Sequence, residues 1–351
     1  MPCFWVGDDV AYATLDEESI VGTYISTDEN DRVTFGPDPR TGEPSRIPQF
    51  RREMVRCPQM SSIEYHEPTH KVLLTSREAS HSCGLFVFSP VVEAGGSGER
   101  WLIGHASHYK RLSIRHSYGD EWIVHKCTPA PASSNLLCVV GTNGGVLRVN
   151  PNEDMEWIAP EVSPKGTKLP REIFDQDFQQ SNHNVLLAGG RQPRLWITDL
   201  RTPDDEWTYI RHNSSIAHLR SVNPNQVLVA GLENQMSLYD MRYYSKRSDV
   251  ARPLLKFAEY NNAAHFHTGW DVCTELGAVA AAQDDGTVKL FSLKTGRRVR
   301  SRVVDAVKTD TPVKALKFKT TEGEGMPSLW VGEGLTLRKL SFGVKEFGDE
   351  A

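Results

Sequence analysis

The chain has 351 residues, with 40 Lys and Arg against 45 Asp and Glu, and a net charge of −5. Hydrophobic residues make up 39% and charged residues 24%, the composition of a globular protein able to bury a large core. This balance leaves no basic footprint for sequence-independent nucleic-acid binding, and no apolar run reaches the roughly 18 residues of a membrane-spanning helix.

The N-terminal stretch MPCFWVGDDVAYATLDEE has no basic region followed by an apolar one, so no secretory leader is expected. Cys3, Cys57, Cys83, Cys127, Cys138 and Cys273 are scattered without a C-x-x-C pair. That pattern fits reduced, buried thiols and neither a disulfide framework nor a metal clip. No long stretch free of Gly and Pro carries apolar residues at i, i+3, i+4 and i+7. Short runs rich in Val, Ile, Leu and Phe recur instead, bounded by Gly, Asn, Asp and Pro, and these read as strands.

In chain order, strands are predicted at 20–26 and 32–35, then at 62–66, 72–75 and 85–88. They continue at 123–127, 136–140 and 146–149, then at 173–178, 185–188, 195–198 and 206–211. The last sets fall at 217–222, 227–230 and 236–239, at 267–272, 279–282, 288–291 and 297–303, and at 313–319 and 329–331. Residues 93–99, 155–170, 243–253 and 320–326 are polar or rich in Gly and Pro and read as inserted surface loops.

The strands repeat as units. LLAGGRQPRLWITDLR (186–201) aligns with VLVAGLENQMSLYDMR (227–242), placing Gly190 on Gly231, Asp199 on Asp240 and Arg201 on Arg242, each 41 residues apart. Further copies lie at 137–150, 280–293 and 329–342, with a looser one at 73–90. Each is a hairpin preceded by another strand and often followed by a polar one. Four strands in a unit of 40 to 50 residues is the mark of a β-propeller blade. Six units are visible over 59–342, and about 50 residues for each of seven blades uses the whole chain. The reading is therefore one all-β domain over 1–351. It is a seven-bladed, WD-repeat-like β-propeller in which 1–58 supplies an irregular first blade and a strand closing the ring in the last blade, with 343–351 as a tail.

An Asp-x-Arg that closes a third strand resembles the WD-repeat family, with Thr198-Asp199 and Tyr239-Asp240 standing where Trp-Asp is expected. His105 and His212 stand where that family begins a blade with Gly-His. Over 185–342 the succession LLAGG…WITDLR, VLVAG…LYDMR and AVAAAQDDGTVKLFSL is similar to one group, the substrate receptors of cullin–RING ubiquitin ligases of the fourth cullin type. These are related to the fourth numbered member of the DDB-adaptor-associated factors. The resemblance implies that Asp199, Arg201, Asp240 and Arg242 dock the propeller on the ligase adaptor, while the opposite rim and central channel hold a substrate. It implies a scaffold, not an enzyme, monomeric within a complex, nuclear or cytoplasmic or both, with protein partners and no membrane. A scaffold in chromatin or RNA processing is the first alternative and an enzymatic propeller the second.

From the residues themselves, Asp199 and Asp240 are expected to accept hydrogen bonds from tight turns, leaving Arg201 and Arg242 on the surface. KTGRRVRSR (294–302) is read as an exposed outer strand whose Arg297, Arg298, Arg300 and Arg302 form a patch for an acidic partner. YYSKRSDVAR (243–252) adds basic and aromatic residues in a neighbouring loop. His265 and His267 are expected to share a strand face, but a third ligand is lacking, so no metal or cofactor is expected. His105, His108, His116 and Tyr109 read as a polar loop region. GGSG (95–98) reads as a flexible loop, and GTNGG (141–145) and QDDG (283–286) as hairpin turns. No repeated Asp, Glu or His is read on the inner strands, and no catalytic constellation is found.

Overall fold

The computed structural model describes residues 3–14, 18–27, 33–36, 47, 49–80, 84–95, 98–106, 109–112, 121–158, 169–202, 206–243, 252–321 and 324–342. Seven antiparallel sheets of three or four strands follow one another along these residues, beside two two-stranded hairpins. Blade 1 pairs Phe4–Val6, Val10–Thr14, Ser19–Tyr24 and Arg51–Arg56, and blade 2 pairs Met60–His66, Lys71–Ser76, Leu85–Phe88 and Tyr109–Arg111. Blade 3 runs Val124–Pro129, Cys138–Thr142, Val146–Val149 and Met155–Trp157, and blade 4 runs Ile173–Gln179, Asn182–Gly190, Arg194–Asp199 and Thr208–Arg211. Blade 5 is Ile216–Asn223, Gln226–Gly231, Met236–Asp240 and Leu255–Lys256; blade 6 is Trp270–Cys273, Ala278–Ala282, Val288–Ser292 and Arg298–Val299. Blade 7 has three strands, Ala315–Lys319, Ser328–Glu333 and Thr336–Leu340.

The apolar core is divided among the seams between blades. Successive strand residues point to opposite faces, so neighbours in sequence serve different seams. Leu74 packs toward blade 1 while Leu73 packs toward blade 3. Leu186 faces blade 3 and Leu187 faces blade 5; Val279 faces blade 5 and Ala280 faces blade 7. Both faces of a blade are covered, which is why the second strands read as unbroken apolar runs instead of alternating ones.

Ring closure differs from the expected strand exchange. Among the described residues no strand of 1–58 pairs with blade 7; that segment builds a complete four-stranded blade of its own. The ring closes face to face. Phe4, Val6, Ala11 and Ala13 pack on Trp330, and Lys319 Nζ reaches Asp8 Oδ1 at 2.9 Å. Side-chain burial between two complete sheets takes the place of shared main-chain pairing.

Other expectations are also corrected. The predicted outer strand at 297–303 is only Arg298–Val299, and the chain then turns into a short helix, Arg302–Asp305. Ser301 caps this helix by accepting from the Val304 N–H, and Val304 and Val307 reach into the seam with blade 7. Residues 155–157 form the outer strand of blade 3, so the predicted insertion there starts later; its residues 159–168 lie outside the described ones. The loop read at 93–99 falls in a hairpin, Val91–Gly95 paired with Gly98–Leu102. In the 283–286 turn, Gly286 takes φ +76°, and a Cβ there would sit 1.9 Å from the Thr309 carbonyl oxygen. In the 141–145 turn the positive φ falls on Gly145, not on the Asn-Gly pair.

Cys3, Cys57, Cys127, Cys138 and Cys273 are buried and form no disulfide; Cys83 lies outside the described residues. Burial pushes the Cys57 thiol up to about 12 and raises those of Cys3 and Cys273. Because all five are buried out of reach of a reagent, they are expected to resist a thiol reagent at pH 8 in the folded protein and to react fully in denaturant. Mapping alkylation by mass spectrometry checks this, and rapid labelling of Cys3 or Cys57 in folded protein contradicts the packing described.

Candidate functional site

The two Asp-x-Arg boxes follow the third strands of blades 4 and 5. In each, the aspartate accepts from the backbone N–H of the arginine two residues on, at 3.0 Å for Arg201 and 2.9 Å for Arg242. Each guanidinium returns as a two-pronged clasp. Arg201 Nε and Nη2 donate to Asp199 at 2.9 and 2.6 Å; Arg242 Nε and Nη2 donate to Asp240 at 3.0 and 2.7 Å. The Arg201 bonds hold the Asp199 carboxyl down at about 2. Both arginine side chains stay open to solvent, 64% and 57% exposed. The aspartates thus set the turn, and the clasps fix two guanidinium groups in one repeated geometry, one blade apart.

The residues that stand for the tryptophan of the box are internal. Thr198 is buried and its hydroxyl donates to the Glu206 carbonyl at 3.1 Å. Tyr239 is buried, with its hydroxyl 2.9 Å from His212 Nδ1, and burial keeps that imidazole neutral by lowering it to about 4. His212 therefore belongs to the interior of blade 5. His105 precedes the outer strand of blade 2 and begins no blade.

The basic patch is smaller than the sequence suggests. Arg298 turns inward and pairs with Asp305 at 2.7 Å, while Arg297, Arg300 and Arg302 remain exposed on the outer side of blade 6. Arg300 lies 3.9 Å from the same carboxylate. Residues 244–251 of the neighbouring basic loop, as well as His108 and His116, lie outside the described residues.

A channel runs along the first strands of all seven blades, with a cavity of about 140 Å³. Acidic and imidazole side chains line it, contrary to the reading that inner strands lack them. Asp175 accepts the Leu219 N–H at 3.0 Å, Asp177 the Ser221 N–H at 2.8 Å and Asp271 the Phe318 N–H at 2.7 Å. In every case the donor belongs to the first strand of the next blade. These carboxylates staple blades together, and cations balance them. Lys126 Nζ sits 2.6 Å from Asp175, and Arg220 lies between Asp177 at 3.8 Å and Asp271 at 3.6 Å. Burial raises the Asp177 carboxyl, and Glu64 and Asp271 hold Lys317 charged. The signal was one polar residue at a matching level of successive first strands: Asp177 opposite Leu187, Arg220 opposite Leu228 and Asp271 opposite Ala280.

At the end where the first strands begin, rings gather. Phe174 stacks on Phe266 at 4.6 Å, Arg191 lies over both, and His125 meets Phe174 edge-on at 5.0 Å. His267 lies 5.9 Å from His125. His265 and His267 do not share a strand face, because the strand starts only at Trp270. Burial lowers His125 and His218 to about 4 and His267 to about 2, so these imidazoles are neutral at pH 7. Among the described residues, no group of three or more His, Cys, Asp or Glu is arranged to hold a metal ion.

Strand direction alternates within a blade, so the end of a third strand lies on the face where first strands end. Arg201 and Arg242 therefore occupy the face opposite the ring-lined mouth. Over 98% of this chain and 93% of the other, the structure is similar to the WD40 β-propeller domain of Doa1, with a TM-score of 0.59 and 11% identity. The chain has the WD40 β-propeller fold. No family model matches this propeller. It is 23% identical over 171 residues to the DNA damage-binding protein CMR1 of Phaeosphaeria nodorum, covering 48% of the propeller chain and 32% of that protein. It is 25% identical over 146 residues to WD repeat-containing protein 21 of Schizosaccharomyces pombe, covering 41% and 33%. The matches thus span about a third of the length of those two relatives.

Proposed function

We propose that this propeller is a non-enzymatic interaction scaffold serving as substrate receptor of a cullin–RING ubiquitin ligase of the fourth cullin type. The observation that carries the reading is the pair of equal clasps, Asp199 with Arg201 and Asp240 with Arg242. An arginine already held by its own aspartate loses less rotamer freedom when a partner binds, and two at equal depth on one face can engage a single adaptor surface. The opposite mouth and channel are left for the substrate. The receptor acts as one copy within a complex, in the nucleus, the cytoplasm or both, and the Arg297, Arg300 and Arg302 face takes an acidic partner segment. A second reading, a scaffold of another nuclear complex, draws support from the likeness to a relative named as DNA damage-binding.

Wild-type protein should capture the purified ligase adaptor, and the double variant Arg201→Ala, Arg242→Ala should bind it roughly thirtyfold more weakly or worse. Both side chains are solvent-exposed, so the melting temperature should hold within a few degrees. Failure of wild type to bind the adaptor overturns the ligase reading. Equal binding by the folded variant removes the docking role of the clasps, and unfolding of the variant makes them structural.

A further inference from the structure

We infer that the ring-lined mouth of the channel is a binding site for an anionic group of carboxylate or phosphate size, held by His125, Trp270 and Lys314. It rests on the reading of this end as the recruiting end of the scaffold and names the chemistry recruited.

The first observation is a set of buried ring and guanidinium nitrogens without partners. His125 is 8% exposed, lines the cavity, and has no hydrogen-bond partner on either ring nitrogen. Trp270, also 8% exposed, lines the same cavity and its buried Nε1 has no partner, and the Arg220 Nε is likewise unmatched. Buried polar groups are ordinarily paired, and indole and guanidinium nitrogens can only donate. The complement is a ligand rich in acceptors. An apolar group would leave the indole and guanidinium donors unpaired and a cation would meet them head-on, while the neutral His125 offers one donor and one acceptor.

The second observation is charge. Arg77, Lys126, Arg220, Lys314 and Lys317 line the cavity against Glu64 and Asp271, with Asp175 and Asp177 behind Lys126 and Arg220. Asp177 and Asp271 lie farther along the strands, where backbone N–H groups engage them, and Glu172 at the mouth is held by Arg191 at 2.8 Å. Arg77 and Lys314 stand at the mouth. His267 is kept neutral first by burial and then by Arg77, with Lys314 acting in the same direction. A positive field inside low-dielectric walls concentrates anions. The third observation is the Phe174–Phe266 stack beside it, an apolar wall suited to the carbon stem of an acidic side chain.

The group can arrive as a free ion or on a partner's peptide, and calorimetry on the full chain separates the two. Sodium phosphate and sodium acetate are titrated at constant ionic strength, alongside a pair of peptides differing by Glu against Gln. His125→Phe keeps a ring against Phe174 but removes both nitrogens, and Lys314→Gln removes a charge at an exposed position. Saturable binding by wild type, at least tenfold weaker in either variant, is expected. Saturation by phosphate or acetate identifies a free ion as sufficient; saturation by the Glu peptide alone identifies a side chain. No saturable binding by any probe, or equal affinity in both variants, overturns the site and leaves a water-filled channel. The Arg201→Ala, Arg242→Ala protein should bind the probe normally, so failure of the adaptor reading and failure of this site are read independently.

Discussion

Replacing Asp271 by alanine is expected to lower stability by about 3–4 kcal/mol, among the largest single-residue effects in this ring. The side chain is buried and holds two things at once. One oxygen accepts the Phe318 N–H at 2.7 Å, tying blade 6 to blade 7, and the other lies 3.6 Å from Arg220. Alanine leaves a buried N–H without its acceptor and leaves Arg220 with Asp177 as its near carboxylate at 3.8 Å. Losing one partner of a buried ion pair costs more than replacing the whole set by apolar groups. Asp271→Asn keeps an acceptor for Phe318 but not the charge, so it should lie between alanine and wild type. Chemical denaturation of the three proteins measures this. A change within about 1 kcal/mol for alanine contradicts the stapling role.

Deleting residues 1–58 is expected to abolish cooperative folding. The sequence suggested that such a deletion would bare the edge of the last blade, but the structure gives a different and larger reason. The segment is a whole blade, and it covers both of its neighbours. Val10, Tyr12, Ile20, Val55 and Cys57 are buried in the seam with blade 2, and Phe4, Val6, Ala11 and Ala13 in the seam with blade 7. Full burial of one large apolar side chain contributes about 1.5–3 kcal/mol, so losing the large ones among these together is comparable to the whole net stability of an ordinary domain, about 5–15 kcal/mol. Glu53 adds a polar loss. Buried in blade 1, it accepts from Tyr12 Oη at 3.0 Å and from the N–H groups of Gly104 and Ala106 at 2.8 and 3.1 Å, anchoring the chain beyond the inserted hairpin. The truncated protein should be insoluble or melt without a transition, as read by circular dichroism and calorimetry. A soluble product melting cooperatively near the wild-type temperature contradicts face-to-face ring closure.

Strands were legible where the residue pattern was local. The 85–88 and 146–149 strands fall where the apolar runs put them. The first two strands of blade 1 escaped notice because Phe4–Val6 is three residues long and Gly7, Asp8 and Asp9 interrupt the run. The strand expected from 267 starts at Trp270, since Phe266 and His267 are drawn to Phe174 and His125 from another part of the chain. The stretch 297–303 looked extended by its charge, yet Val304 and Val307 pull it into a helical turn against the next seam.

The sequence by itself determined that this chain is a ring of small sheets. Paired apolar residues facing two neighbours leave a mark in every second strand, and the 41-residue spacing of Gly190 and Gly231 carries the repeat. It also determined the two clasps, because an Asp and an Arg two residues apart meet within one turn. Only the tertiary structure decided how the ring closes and what the inner strands do. Asp175 meets Leu219 across 44 residues and Asp271 meets Phe318 across 47, so the partner of each carboxylate is set by the neighbouring blade and not by its own strand. The same holds for His125, whose ring is buried against Phe174, Phe266 and His267 from two other blades.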